Sequence, residues 1–267
     1  MIAAPTIIVF DSGLGGLTVF REVAAARPDA RFVYAADDAF FPYGRHDEAK
    51  LVARVLDVME QLIAAHRPDL VVVACNTAST LVLAPLREKF KVPFVGTVPA
   101  IKPACSSSSS RLVSVLGTEA TVKREYTRKL IREHGNGCAL TLVGSPRLAE
   151  LAEAALQGAT VTDTEIAGEI APCFVETDGA RTDTVVLACT HYPLLLDRLE
   201  RLAAWPVKWI DPAPAIARRV VELLGPPAPG AAPPPARAVF TSGRPPAATL
   251  AAALAHFGLA ETASAGV

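Results

Sequence analysis

The chain has 267 residues, a net charge of −1, 51% hydrophobic residues and five cysteines. That is enough apolar chain for one large or two modest cores, and too neutral a surface to imply nucleic acid as a partner. An odd cysteine count without paired spacing argues for reduced thiols over a disulfide framework. The apolar run at Ile7 has no basic region before it and no cleavage site after it, and no run is long enough to span a bilayer. A cytoplasmic protein is therefore expected.

In chain order, residues 7–10 predict a short buried strand and Asp11-Ser-Gly-Leu-Gly-Gly16 a turn. Residues 17–26 predict a helix with Leu17, Phe20, Val23 and Ala24 on one face. Residues 31–35 are the next strand, and 37–44 an aromatic, proline-bearing loop at its mouth. The helical period of Leu51, Val52, Val55, Val58, Met59, Leu62 and Ile63 predicts a helix over 50–66, closed by Pro68. A strand then runs from Asp69 into Cys75, a helix covers 77–90, and 92–99 is again a strand. The serines Ser106 to Ser110 are expected to be an exposed connection. Strands at 111–118, 139–143 and 183–189 are interleaved with helices at 120–134, 147–156, 164–174 and 192–204. A strand at 207–211, a helix at 215–224, a proline-rich loop at 225–235, a strand at 238–242 and a helix at 247–257 complete the chain.

Strands alternating with helices throughout mean an α/β protein whose parallel sheets are covered on both faces. The stretch Asp69-Leu-Val-Val-Val-Ala-Cys75-Asn-Thr77 is echoed by Asp183-Thr-Val-Val-Leu-Ala-Cys189-Thr-His191. Two such strands in separate βα series predict two similar doubly wound lobes, the second inserted into the first. Residues 1–98 and 207–267 are expected in one lobe and 99–206 in the other, with the active site in the cleft between them. Ligands of open parallel sheets bind beyond the carboxyl ends of the strands, where Asp11, Cys75, Thr118 and Cys189 all stand.

Plainer readings exist for each motif. The turn at 11–16 has Thr18 where a dinucleotide loop needs its third glycine, and could serve tight packing alone. Asp11 could cap the helix after it, and a free cysteine often acts as a small buried hydrophobe. The repeat weighs against the last reading for Cys75 and Cys189. Both sit where a helix N-terminus is expected to lower a thiol pKa, and His191 lies two residues beyond one of them. Cys105, Cys138 and Cys173 lack that setting and read as structural. Zinc on Cys75, Cys189 and His191 would lack the usual paired ligand spacing, and a cysteine hydrolase would leave one thiol unused. Pyridoxal phosphate needs a Schiff-base lysine, and no lysine ends an apolar strand. Two thiols facing each other suit removal of a proton from one face of a carbon and return of one to the other, with no cofactor and no metal.

Six motifs, in this order, resemble the bacterial glutamate racemases over nearly the whole chain: Asp11-Ser-Gly-Leu-Gly-Gly16, Phe41-Pro-Tyr-Gly44, Ala74-Cys-Asn-Thr-Ala-Ser79, Gly96-Thr-Val-Pro-Ala100, Leu116-Gly-Thr118 and Cys189-Thr-His-Tyr-Pro-Leu194. The resemblance implies two α/β lobes, no cofactor, and glutamate racemisation that supplies the D-form for peptidoglycan. By position it implies that Cys75 takes the α-proton of D-glutamate and Cys189 that of L-glutamate, assisted by Asp11 and His191. Ser12, Asn76, Thr77 and Thr190 would hold the α-amino and α-carboxylate groups. The amides of Tyr43 and Gly44, in the Pro42-Tyr43-Gly44 motif, would hold the distal carboxylate with Thr118 and Thr121. Glu153 matches a family glutamate near the site. Glutamate is the expected partner, with no nucleic acid and no membrane, and a homodimer is the candidate assembly. Glu150 and Pro212 depart from the pattern, which has proline and serine there. The short stretch before Asp11 speaks against an activator site built on an N-terminal extension. Rival readings are another superfamily member, such as an aspartate racemase or a decarboxylase, and a non-catalytic amino-acid binder, which would have no use for paired thiols.

Overall fold

The computed structural model describes residues 4–228 and 235–264. The first βα series is β1 (Thr6–Asp11), α1 (Leu17–Ala26), β2 (Arg31–Ala36), α2 (Glu48–His66), β3 (Leu70–Val73), α3 (Asn76–Lys89) and β4 (Phe94–Gly96). The second is α4 (Ile101–Ser107), β5 (Leu112–Thr118), α5 (Glu119–Lys123), α6 (Glu125–His134), β6 (Ala139–Ser145), α7 (Leu148–Leu156), α8 (Asp163–Ile170), a hairpin of β7 (Glu176–Thr177) and β8 (Ala180–Arg181), β9 (Thr184–Ala188), α9 (Leu196–Leu202) and β10 (Lys208–Ile210). The chain then returns through α10 (Ala213–Leu224), β11 (Ala236–Phe240), α11 (Ala248–His256) and β12 (Leu259–Ser264).

The central strands are continuous apolar runs because both of their faces are covered. Ile7 to Phe10 and Leu70 to Val73 are wholly buried. Along β1, Ile7 and Val9 enter one core with Tyr34, while Ile8 and Phe10 enter the other with Val33. Two sheets result, ordered β12-β11-β2-β1-β3-β4 and β10-β9-β5-β6, and all their neighbours run parallel. In each, the chain leaves a central strand first to one side and later to the other. The order therefore reverses between β1 and β3 and between β5 and β9, where diverging connections open a crevice beyond the strand ends. The expected two-lobed α/β architecture is what is found. No helix among the described residues is long and apolar enough to cross a membrane.

Several local expectations need correction. Residues 208–210 pair with Thr184 to Val186 in the second sheet, so the return to the first lobe expected at residue 207 comes one strand later, at α10, which packs on α1. A three-residue strand carries no sequence mark of the sheet it joins. The helix expected over 120–134 breaks at Arg124, which is extended at φ −64° and ψ 139°. There the Thr127 hydroxyl donates to the Thr121 carbonyl at 2.7 Å, supplying a partner to a carbonyl at the end of α5. The helix α4, the β7–β8 hairpin and the edge strand β12 are additions to the elements expected from the sequence. Residues 229–234 of the proline-rich loop lie outside the described residues.

The serine run is not a bare exposed connection. Ser106 and Ser107 end α4, and the next three residues wrap the Asp183 carboxylate. The Ser108 hydroxyl donates to Oδ1 at 2.7 Å, and the Ser109 and Ser110 amides donate to Oδ2 at 2.7 and 2.8 Å. The Thr184 hydroxyl adds a fourth donor at 2.9 Å. Partial burial raises this carboxyl, but the four donors outweigh it and hold it down at about 2. Because that lies below the unfolded value of about 3.9, the stabilisation is complete above pH ~4 and is lost as the pH falls toward about 2. Asp183→Asn is expected to lower unfolding free energy by about 1 kcal/mol at pH 7, a modest figure because the carboxylate is partly solvated. Urea midpoints of the two proteins should differ by a constant amount from pH 5 to 8 and converge between pH 4 and 2.5. A gap that did not narrow would contradict the assignment.

Candidate active site

The Ala74 amide donates to the Phe10 carbonyl at 2.8 Å, continuing the Phe10–Val73 register, so Asp11 and Cys75 leave the first switch point side by side. In the second sheet Gly117 pairs with Ala188, which sets Thr118 beside Cys189. The two switch points face one another. Thr77 Oγ1 lies 3.1 Å from Thr118 Oγ1 and 3.2 Å from Thr121 Oγ1. The Thr190 hydroxyl donates to Asp11 Oδ1 at 3.2 Å, and the Thr18 hydroxyl to the Thr190 carbonyl at 3.2 Å. Farther out, ion pairs Arg45–Glu150 and Arg124–Glu48 also join the lobes.

Both thiols are buried. The Cys75 thiol donates to Ser12 Oγ at 3.6 Å. Its expected depression by the α3 N-terminus does not occur. Burial first, and then the Asp11 charge, push it up to about 12, against a smaller pull from the Ala78 amide and the Ser12 hydroxyl. Cys189 Sγ lies 3.9 Å from His191 Nδ1, and His191 Nε2 lies 2.7 Å from Glu153 Oε2, which also accepts from the Leu14 amide at 2.9 Å. Burial opposes a charge on His191, but its hydrogen bonds to Cys189 and Glu153 outweigh it and hold the ring well above its ordinary value. The Gly15 amide stands 3.2 Å from the same Nε2, a hydrogen bond open only to the neutral ring. The 2.7 Å contact to Glu153 and the raised pKa favour the imidazolium. Burial also raises the Asp11 carboxyl, with the His191 charge and the Gly13 and Gly16 amides pulling it back.

The turn at 11–16 is shaped by these side chains. A Cβ at Gly15 would stand 2.3 Å from His191 Nδ1, so the ring takes the space that any side chain there would need. In the Phe41–Gly44 loop the Tyr43 ring is buried and its hydroxyl donates to Asp37 Oδ2 at 2.7 Å. That points the phenol away from the cleft. Gly44 lies against Thr118, where an added Cβ would be 3.8 Å from the threonine Cβ. Pro42, Gly44, Thr118, Ser145 and Glu150 line a cavity of about 220 Å³ leading outward. Asn76 is buried with both side-chain amide atoms unpartnered in the protein, which leaves a donor and an acceptor free for a bound molecule.

Most of the expected site residues thus stand at the two switch points, with Glu153 joined to them through His191, whereas Pro42, Tyr43 and Gly44 sit in the loop after β2. Sequence reasoning missed Asp37, which accepts from Arg54 at 2.6 Å and from the Thr241 hydroxyl at 2.6 Å while holding Tyr43. It lies just past the end of β2, so the strand-end rule that selected Asp11 could have found it. It also missed Thr18, whose second acceptor is the Gly15 carbonyl at 3.0 Å. Cys105 and Cys173 lie in cores of the second lobe. Among the described residues no three His, Cys, Asp or Glu side chains are grouped as metal ligands would be.

Residues 17–220 match the Asp/Glu/hydantoin racemase family. The chain belongs to that family. The glutamate racemase of Brucella anthropi is 58% identical to it over 221 residues, covering 82% of this chain and 80% of the relative. The glutamate racemase of Mesorhizobium japonicum is 56% identical over 241 residues, covering 89% and 92%. Escherichia coli glutamate racemase, solved with L-glutamate and the activator UDP-MurNAc-Ala, matches with a TM-score of 0.89 at 38% identity over 98% of both chains. The resemblance read from the six motifs is borne out, and this member of the racemase family is an enzyme of the same type.

In this racemase fold the Asp11 charge adds to burial at Cys75, so Asp11→Asn should bring the thiol down. Alkylation of Cys75 by iodoacetamide at pH 9, measured by peptide mass spectrometry, is expected to become several-fold faster than in the wild type. An unchanged or slower rate would mean that burial alone sets the thiol.

Proposed function

We propose that the chain interconverts L- and D-glutamate without metal or organic cofactor, using Cys75 and Cys189 as acid and base on opposite faces of the α-carbon. What supports this reading above all is the placement of one thiol at each facing switch point, each beside its own proton partner. Glutamate as substrate comes from the relatives, which carry that name, and from the Escherichia coli neighbour, which holds L-glutamate.

In the L-to-D direction, Cys189 as thiolate beside the His191 imidazolium takes the α-proton. Cys75, kept protonated by burial and by Asp11, gives its proton to the other face. In the D-to-L direction Cys75 must first lose its proton, and Asp11, whose carboxyl is itself raised, is the neighbouring acceptor. The Ser12, Thr77 and Thr190 hydroxyls and the unpartnered Asn76 amide are assigned to the α-amino and α-carboxylate groups. Thr118, Thr121 and the Tyr43 and Gly44 amides are assigned to the distal carboxylate. Closure of the lobes leaves the thiolate weakly solvated and so a stronger base. In the cell this activity would run in the cytoplasm and supply D-glutamate for peptidoglycan.

Chiral chromatography of L-glutamate incubated with protein dialysed against chelator and hydroxylamine should show progress to an equal mixture of enantiomers. kcat/KM for aspartate should be lower by several powers of ten, because a shorter substrate leaves buried donors unpaired. Dependence on added zinc or pyridoxal phosphate would contradict the cofactor-free reading, and comparable rates on aspartate would move the assignment to a sister activity.

Glu153 acts in this scheme through His191. The carboxylate helps hold the ring charged, so Glu153→Gln should lower the His191 pKa and make the imidazolium titrate away sooner. The alkaline limb of kcat for L-glutamate is expected to move to lower pH, with KM little changed. A uniform loss of rate with an unshifted profile would assign Glu153 a packing role only.

A further inference from the structure

Cys105 and Cys138 take no part in the chemistry assigned above, yet they meet. Cys105 lies in α4, in the core that includes Val113 and Val115. Cys138 stands at the start of β6, and its thiol approaches the Cys105 carbonyl at 3.7 Å. The turn before it carries positive φ at Asn136 (47°) and Gly137 (75°). The two thiols also interact with one another. Burial, and then the hydrogen bond from Cys105 to Cys138, raise the Cys105 thiol to about 12. Cys105 thus holds its proton more tightly than an ordinary thiol, while the Cys138 thiol donates to the Cys105 carbonyl.

Two features make Cys138 the reactive partner. It is half-exposed, whereas Cys75, Cys105, Cys173 and Cys189 are buried. The Arg111 guanidinium reaches it, with Nη1 4.0 Å from Sγ, and is itself steadied by the Asn136 carbonyl at 3.2 Å. A partly exposed sulfur beside a fixed cation and in contact with a second thiol is the arrangement expected of a redox-active pair. Backbone hydrogen bonds from Ala139 to Arg111 and from Cys138 to Gly135, both 2.8 Å, keep the group in place.

We propose that Cys105 and Cys138 are a reversible disulfide site, oxidised by hydroperoxides before the two cleft thiols. The Cys138 thiolate attacks one oxygen of the peroxide. An S–O bond forms, the O–O bond breaks, and the leaving alkoxide or hydroxide departs as an alcohol or water after taking a proton. Cys105 sulfur then attacks Cys138 sulfur, the S–S bond forms and the S–O bond breaks. The displaced hydroxide leaves as water with the Cys105 proton. Two thiols lose two electrons to one peroxide, and a thiol reductant reverses the change.

The test is peptide mapping of the intact protein after a timed exposure to hydrogen peroxide, an acid quench, and alkylation under denaturing conditions. Trypsin places Cys105 alone in the peptide 92–111 and Cys138 alone in 133–147. The expected result is a peptide pair joined by a disulfide and released by dithiothreitol, while Cys75, Cys173 and Cys189 are still recovered alkylated. Cys138→Ser, a conservative change at a half-exposed position, should give no linked pair and leave Cys105 alkylatable. Oxidation of Cys75 or Cys189 ahead of the linked pair would overturn the proposal, as would conversion of Cys138 to sulfinic acid without a link.

Discussion

Asp11, Cys75, Glu153, Cys189 and His191 are all buried at the junction of the lobes. A charge on His191 or on Glu153 is tenable there because each supplies the other's partner. His191 is the hub. It reaches Cys189 with one nitrogen and Glu153 with the other, and Glu153 in turn takes the Leu14 amide of the opposite lobe. The surrounding turn is built to accommodate that ring. Gly15 has room for no side chain, and Thr18 ties the turn to the Thr190 carbonyl. Separating the lobes would take the Leu14 amide from Glu153 and the Gly15 amide from His191, but would leave His191 with Cys189 and Glu153 in its own lobe.

The two thiols are in unlike surroundings although the strands that deliver them are alike. Cys75 has an acid beside it and no cation of its own, so burial keeps its proton on. Cys189 has an imidazole that gains a proton more readily than usual. This asymmetry suits a reaction in which one sulfur gives a proton while the other takes one. Its source is Asp11, at the end of β1 beside Cys75, and His191, two residues beyond Cys189.

The fold class was legible because parallel strands covered on both faces must be largely apolar, and Ile7 to Phe10, Leu70 to Val73 and Val185 to Ala188 are such runs. The strand-end positions of Asp11, Cys75, Thr118 and Cys189 came from the same pattern. Glu153 was visible only by family resemblance, since nothing local distinguishes it from other acids on α7. The depression expected at Cys75 failed because a helix N-terminus predicts the sign of one contribution, whereas burial and the Asp11 charge depend on the closed tertiary structure. The Ser108–Ser110 wrap around Asp183 was hidden because a carboxylate more than seventy residues away in sequence organises it. Strand β10 carries no sign of which sheet it joins, whereas Asp37 stands just past a strand end and was open to the same rule that selected Asp11.

The division of labour between the sulfurs is the central claim, and solvent deuterium exchange tests it most directly. Cys189→Ser and Cys75→Ser would each be incubated in heavy water with one enantiomer of glutamate, with binding of glutamate verified separately and deuterium at the α-carbon monitored by proton NMR. Cys189→Ser is expected to wash deuterium into D-glutamate while L-glutamate stays protonated, Cys75→Ser is expected to show the reverse, and net racemisation should fall by orders of magnitude in both. Equal exchange of both enantiomers by either variant, or near-full racemisation by both, would contradict that division of labour.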